Sequence, residues 1–332
     1  MSDLDNKTNM TDEVILQVKK LQTYFHIDEG IVKAVDGITF DLHKGETVGI
    51  VGESGSGKSV TNLSIMNLVT TPGKIEGGEV LFHGEDILKM SDREIQSIRG
   101  NKISMIFQDP MSSLNPFLRI STQMIETIML HQKLDKKAAK LKAIEMLKLA
   151  GIPAAEERID CYPHQFSGGM RQRVMIAMGL SCNPEILIAD EPTSALDVTI
   201  QAQILDLMKD LTARLGTAVI MITHSLGVVA GMCDTIMVMY AGRVVEKGKT
   251  ADIFKEPKHP YTKGLIKSVP RLDKENSERL FSISGQPPNV IDLPPCCPFY
   301  PRCHKAMDIC KKQYPPVQEF ENGHCSSCWL YA

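Results

Sequence analysis

The segment TVGIVGESGSGKS, Thr47 to Ser59, is an apolar run that breaks into Gly52-x-x-x-x-Gly57-Lys58-Ser59 and is followed by VTNLSIMNL, a stretch that suits a helix. Strand, glycine-rich loop and helix in that order form a cradle for phosphate. Glycines let successive backbone N–H groups converge on phosphate oxygens without Cβ obstruction, and the helix N-terminus adds partial positive charge. The candidate nucleotide-binding residues are therefore Gly52, Ser54, Gly55, Ser56, Gly57, Lys58, Ser59 and Val60. Lys58 is expected to reach the β- and γ-phosphates, and the Ser59 hydroxyl to ligate Mg²⁺. Without its flanking context the same loop would be ordinary flexible chain.

Downstream, EILIADEPTSALD supplies an apolar strand ending in Asp190 and Glu191. Adjacent carboxylates at a strand end suit two tasks: Asp190 would hold Mg²⁺, directly or through water, and Glu191 would orient and deprotonate an attacking water. Taken alone, the pair could equally be acidic turn residues. Gln108, closing ISMIFQ, could reach the metal or the water from a third strand, although a lone glutamine at a strand end is ordinarily just solvated. His224 closes AVIMITH in the same position, where imidazole could contact the γ-phosphate; an isolated histidine is more often structural. In FSGGMRQRVMIAMGL, Ser167, Gly168 and Gly169 open a long helix and create a second N-terminus suited to phosphate. Only one phosphate loop is present in the sequence. An economical solution gives this second end the nucleotide of another subunit, so that the active unit is a dimer; the bland alternative is an N-cap with glycine flexibility.

These motifs need elements to position them. From about Glu13 to Gly248, short runs rich in β-branched residues (TVGIV, ISMIF, EILIAD, AVIMIT, TIMVMY) alternate with segments of helical period, which predicts an α/β domain with a largely parallel sheet. Between Leu118 and Gly179 the strand signal disappears, while QMIETIML and KAAKLKAIEMLKLA carry helical spacing. A helical subdomain over about 118–180 is expected within a domain spanning 13–250. A loose polar tail is expected over 1–12, and an extension over 251–332 holding a cysteine-rich segment, 296–328. The chain has 332 residues, 43% of them hydrophobic, and net charge −3, which gives no global bias toward nucleic acid or anionic lipid. The opening residues lack the apolar stretch of a signal peptide, and no run approaches the ~18 apolar residues of a membrane span. A reducing compartment is the expectation, where clustered thiols more often hold metal than form disulfides.

GESGSGKS, Gln108, FSGGMRQR, ILIADE, SALD and ITH occur in an order and spacing that resemble the nucleotide-binding subunits of ABC transporters. The resemblance covers about Val14 to Gly248. It implies an ATPase fold with an α/β P-loop core, an inserted helical subdomain, and a head-to-tail dimer in which Ser167, Gly168 and Gly169 contact the γ-phosphate on the partner's loop. Asp197 in SALD would couple the two sites. An aromatic upstream of the loop would stack on adenine: Phe25 aligns best, and Tyr24 is adjacent. The alternative for both is ordinary strand packing. HPYTKGL and a cysteine tail further resemble the oligopeptide and dipeptide importer branch, whose relatives also include importers of nickel and other small solutes. That resemblance implies a second ATPase subunit, usually non-identical, two membrane permeases, an extracytoplasmic binding protein, and a location on the cytoplasmic face of the membrane. Two departures stand out: Ser225 follows His224 where the family often has Asp, and the signature carries Phe166 and Met170 in place of the general Leu and Gln. A soluble ABC ATPase acting on nucleic acid usually has paired cassettes, coiled coils or basic arms, none of which the sequence displays. A redox module using the thiols is the third reading, and it lacks an obvious substrate pocket.

Of nine cysteines, four fall in CCPFYPRCHKAMDIC, and Cys325 and Cys328 follow. The pattern resembles the [4Fe–4S] segment of the peptide branch and implies Cys297, Cys303, Cys310 and Cys328 as ligands, with the cluster stapling a tail short of apolar residues. Cys296 takes the place expected for glycine. Cys325 completes a Cys-x-x-Cys with Cys328, so zinc on Cys303, Cys310, Cys325 and Cys328, or with His304 or His324, is the alternative to the cluster. Free thiols are the third reading. Cys161, Cys182 and Cys233 read as buried structural thiols in helical or strand contexts.

Overall fold

A computed structural model describes residues 13–109, 113–194, 196–269, 282–291 and 293–332. The expected tail over 1–12, Pro110 to Ser112 of the segment after Gln108, Ala195 of SALD and much of the polar stretch before Glu278 lie outside the described residues.

The chain forms two compact units. One comprises the residues up to Ile15, Leu42–Glu46 and Lys89–Ile220; the other comprises Leu16–Asp41, Thr47–Leu88 and Met221–Ala332. In the first, strands β6 (Ile103–Ile106) and β7 (Ile186–Asp190) pair in parallel, with Ile103 opposite Ile186 and Ile106 opposite Ala189. Every residue of β7 is buried, which explains its unbroken apolar run: a parallel strand is covered on both faces. Helices α3 (Ile120–Gln132), α4 (Lys136–Leu149), α5 (Ala155–Arg158) and α6 (Gly168–Leu180) fill the stretch between these strands. Short α2 (Asp92–Ile98) precedes β6 under a Ser91 and Glu94 capping box. Helix α7 (Val198–Leu215) buries Ile204, Met208 and Leu211, one face at helical spacing, and stops at Gly216, whose left-handed φ of 66° no branched residue would tolerate well.

In the second unit, β3 (Thr47–Val51) pairs in parallel with β9 (Thr235–Tyr240), and β9 pairs antiparallel with β10 (Arg243–Lys249). The order continues through β12 (Cys325–Ser327) to β11 (Val317–Glu319), so the cysteine-rich extension completes a sheet by backbone hydrogen bonds. A separate sheet, ordered β2 (Gly30–His43), β1 (Val14–Ile27), β4 (Gly73–Phe82) and β5 (Glu85–Asp86), lies mostly in this unit. Helices α1 (Lys58–Ile65), α8 (Leu226–Met232), α9 (Thr250–Lys255) and α10 (Pro260–Ser268) follow strands in it. Strand β8 (Ala218–Thr223), buried throughout, carries the chain from one unit into the other. All five strands expected from apolar runs are present. Strands β1, β2 and β4 lack an unbroken apolar run: β4 and the second half of β2 alternate between more and less buried residues, a weaker signal than the runs of the parallel strands.

Candidate functional site

In the second unit, β3 delivers the chain into the phosphate loop and α1 receives it. The loop has no room for a side chain at its first and last glycines, although a Cβ on Gly55 would meet nothing. A Cβ on Gly52 would collide with the Met239 carbonyl, and one on Gly57, which sits at φ 102°, would collide with the Ala34 carbonyl. The Lys58 ammonium is buried and donates to the carbonyls of Gly52 (2.8 Å) and Glu53 (2.9 Å) and to Ser56 Oγ (3.4 Å). Ser54, Gly55 and Ser59 are exposed, Ser56 is buried, and Gly57 and Val60 are half-buried. At Glu53, within this loop, the fold adds contacts to residues far away in the chain. The Glu53 N–H donates to Tyr261 Oη at 2.8 Å, and its carboxylate pairs with the Arg302 guanidinium.

On β1 of the same unit, Phe25 and Tyr24 are both half-buried and point to opposite faces. Tyr24 donates to Asp36 Oδ1 at 2.8 Å and lies under Lys33, so its hydroxyl has a structural partner. Phe25 packs against the Cα of Gly73, where an added Cβ would come within 2.7 Å of its ring. His224 is exposed at the end of β8, and the Ser225 N–H donates to Thr223 Oγ1 at 3.0 Å.

In the first unit, Gln108 and Glu191 come together: Gln108 Nε2 donates to Glu191 Oε2 at 3.1 Å. Asp190 ends β7 almost fully buried, and Glu191 follows at φ 45°, a left-handed conformation that a non-glycine residue adopts at a cost. Such backbone strain gathers at functional sites. Ser167 caps α6, accepting from Met170 N–H at 3.4 Å. Gly168 is exposed, whereas a Cβ on Gly169 would meet Ile200 Cγ2 at 2.9 Å, so the second glycine is required for packing against α7. Asp197 is exposed and caps α7 through Ile200 N–H at 3.0 Å.

Cys297, Cys303, Cys310 and Cys328 line one small pocket in the second unit, with His259 and Trp329. Burial pushes the Cys297 thiol up to about 12, helped by the neighbouring charge of Cys310, Cys328 and Cys303. Cys325 does not line that pocket. It lies on β12 with its thiol donating to the Gly323 carbonyl at 3.5 Å, so the cysteine set imagined for zinc is not gathered. His324 is held instead by the buried carboxylate of Glu246 at 2.8 Å, and His304 lines a different pocket with Arg302. Among the described residues no group of three or more His, Cys, Asp or Glu is arranged to hold a metal ion. Nor does the tail stand as a coreless appendage: Phe299 packs on Tyr240 (5.3 Å between centroids) and Tyr261 (5.4 Å). Cys161 is half-buried, and Cys182 and Cys233 are buried, but all three lie in the connections just outside helices and strands, a correction to the expected helical or strand context.

Sequence reasoning missed Glu53, Tyr261, Arg302 and Glu246. Glu246 is fully buried and accepts from the N–H groups of Lys258 (2.6 Å) and His259 (2.8 Å) besides pairing with His324. Only the HPY tripeptide, His259 to Tyr261, hinted at this region. Burial and Lys263 push His259 down to about 3, so its neutral Nδ1 accepts from Tyr261 N–H at 3.1 Å and caps α10.

Comparison with known proteins agrees with this geometry. Residues 35–194 match the family model described as ABC transporter, and residues 245–310 match that of the oligopeptide/dipeptide transporter C-terminal region. The oligopeptide transport ATP-binding protein of Salmonella typhimurium is 52% identical over 316 residues, covering 95% of this chain and 93% of the relative. The dipeptide transport ATP-binding protein of Bacillus subtilis is 52% identical over 319 residues, covering 96% and 95%. Among solved structures, the ATP-binding cassette MJ0796, a dimer in a post-hydrolysis state bound to ADP and Pi, aligns with a TM-score of 0.64 at 30% identity, over 71% of this chain and 98% of that one. No helix among the described residues is long and apolar enough to cross a membrane.

Proposed function

We infer the activity from a premise the relatives supply: the chain belongs to the ATP-binding subunits of the oligopeptide and dipeptide ABC transporters. It is an ATPase that powers import of di- and oligopeptides. It works with a partner ATPase and permease subunits, and ATP is bound between two cassettes. The observation that carries this reading from the chain's own chemistry is the phosphate loop delivered by β3 to α1, with Lys58 buried beneath it.

The residue roles are proposals. Lys58 and the N–H groups from Gly55 to Val60 hold the phosphates, and Phe25 stacks on adenine, since Tyr24 is engaged by Asp36. Glu191 takes the proton of the attacking water; the amide of Gln108, 3.1 Å away, orients its carboxylate. His224, exposed at a strand end, contacts the γ-phosphate. Ser167, Gly168 and Gly169 present the N-terminus of α6 to the nucleotide on the partner subunit, and Asp197 couples the two sites. Magnesium, when bound, neutralises phosphate charge. Ser59, Asp190 and Gln108 are the residues proposed to hold it, each with a hard oxygen donor of the kind it takes. Glu191→Gln is expected to keep ATP binding while hydrolysis falls about 100-fold or more. Wild-type turnover in that variant would remove Glu191 from its role.

We further propose that Cys297, Cys303, Cys310 and Cys328 hold a [4Fe–4S] cluster, which supplies a structural cross-link when bound. Support comes from the number and kind of donors: four thiols line one pocket, with Met307 N–H donating to Cys310 Sγ at 3.5 Å, although they are not gathered in ligand geometry here. Anaerobically purified protein should contain iron and acid-labile sulfide, and lose both with Cys297→Ser; stoichiometric zinc without iron would contradict the cluster. The transporter subunit is expected at the cytoplasmic face of the membrane, bound through the permeases.

A further inference from the structure

Arg302 lies in a 3-10 turn, Tyr300–Arg302, between Cys297 and Cys303. Its side chain is 5% exposed. Nη1 donates to Glu53 Oε2 at 2.6 Å and Nη2 to Glu53 Oε1 at 3.0 Å, the two-pronged geometry in which guanidinium binds carboxylate most firmly. The remaining donors are occupied as well: Nη1 reaches Tyr240 Oη at 3.3 Å, Nε the Ser284 carbonyl at 3.1 Å, and Nη2 the Ile283 carbonyl at 3.3 Å.

Glu53 is the first residue of the phosphate loop after Gly52, and it is tied down on three sides. Its N–H goes to Tyr261 Oη (2.8 Å), its carbonyl accepts from Lys58 Nζ (2.9 Å), and its carboxylate is clamped by Arg302. Two consequences follow. A loop fixed at its first residue loses less freedom when it wraps a ligand, which raises affinity. A carboxylate on a residue of the phosphate loop also repels phosphate unless a cation cancels it, and Arg302 is paired with it. We propose that Arg302 is a positioning residue for nucleotide: it neutralises Glu53 and fixes the start of the phosphate loop, so that the cysteine-bearing extension sets the loop's affinity for triphosphate. The proposal rests on the reading of this loop as the ATP site.

The test is titration of the full chain with a fluorescent ATP analogue. Arg302→Met is expected to weaken binding about tenfold, the scale of a lost charge-assisted pair, and Arg302→Lys to fall between it and wild type. Adding Glu53→Gln to Arg302→Met should restore part of the affinity, because the uncompensated charge is removed; a purely structural role would not yield that rescue. Arg302→Met with wild-type affinity, or a double variant no tighter than Arg302→Met, would overturn the proposal. Should Arg302→Met fail to unfold cooperatively on heating, Arg302→Lys and the double variant carry the same comparison. Lys58→Ala serves as the separate control: if it still binds the analogue fully, the ATP-site reading itself falls, and the proposal with it.

Discussion

At Glu191 the backbone takes a conformation that costs of order 1–3 kcal/mol in a residue with a side chain. The carboxylate it aims receives the Gln108 amide. Gln108→Ala is therefore expected to lower hydrolysis less than Glu191→Gln does, and to leave nucleotide binding intact; steady-state ATPase assays beside binding titrations separate the two. Lys58→Ala should lose binding itself. At Ser167 the N-cap that the sequence offered as the alternative is present, with its bond to Met170 N–H; the cap that Asp197 places on Ile200 N–H was not expected. The Arg302 and Glu53 pair was not readable, since 249 positions separate the partners and neither residue type is unusual in a loop. Gly169 carried two meanings that sequence alone could not part. Its closeness to Ile200 predicts that Gly169→Ala destabilises the fold, whereas Gly168→Ala, whose nearest neighbour is Leu196 at 3.9 Å, should leave the thermal midpoint nearly unchanged.

Among the elements, the buried parallel strands were legible because an unbroken apolar run has few other uses. The strands and anchorage of the extension were not, because it borrows its stability: β12 pairs with β10, and Phe299 packs on aromatic residues of β9 and α10. Its anchorage gathers on Glu246. Glu246→Ala would leave the Lys258 and His259 N–H groups and His324 without their buried acceptor, at a cost of about 3 kcal/mol, visible as a thermal midpoint lowered by several degrees. The α10 cap adds a pH dependence of defined sign. His259 titrates near 3 in the fold against 6.5 unperturbed, so the unfolded chain takes up the proton first on acidification. The cap's contribution is fully present above pH 6.5 and declines as pH falls toward 3, by up to about 1.4 kcal/mol per pH unit. His259→Asn, which can still accept from Tyr261 N–H but does not titrate, should flatten that slope in thermal melts at pH 5 to 7.

For the whole molecule, partnership is what the sequence suggests, because beside its one phosphate loop it carries a second glycine-flanked helix N-terminus, at Ser167, that is proposed to meet phosphate. The dimeric cassette that aligns with this chain has the stoichiometry such an arrangement requires. The central claim, that each cassette completes the other's nucleotide site, is tested most directly by ATP hydrolysis in the assembled transporter with Ser167→Arg in this chain, measured beside nucleotide binding at its own phosphate loop. The account predicts that hydrolysis at the partner's site collapses while this chain's Lys58 loop still binds ATP. Hydrolysis at the wild-type rate in that assembly would contradict it.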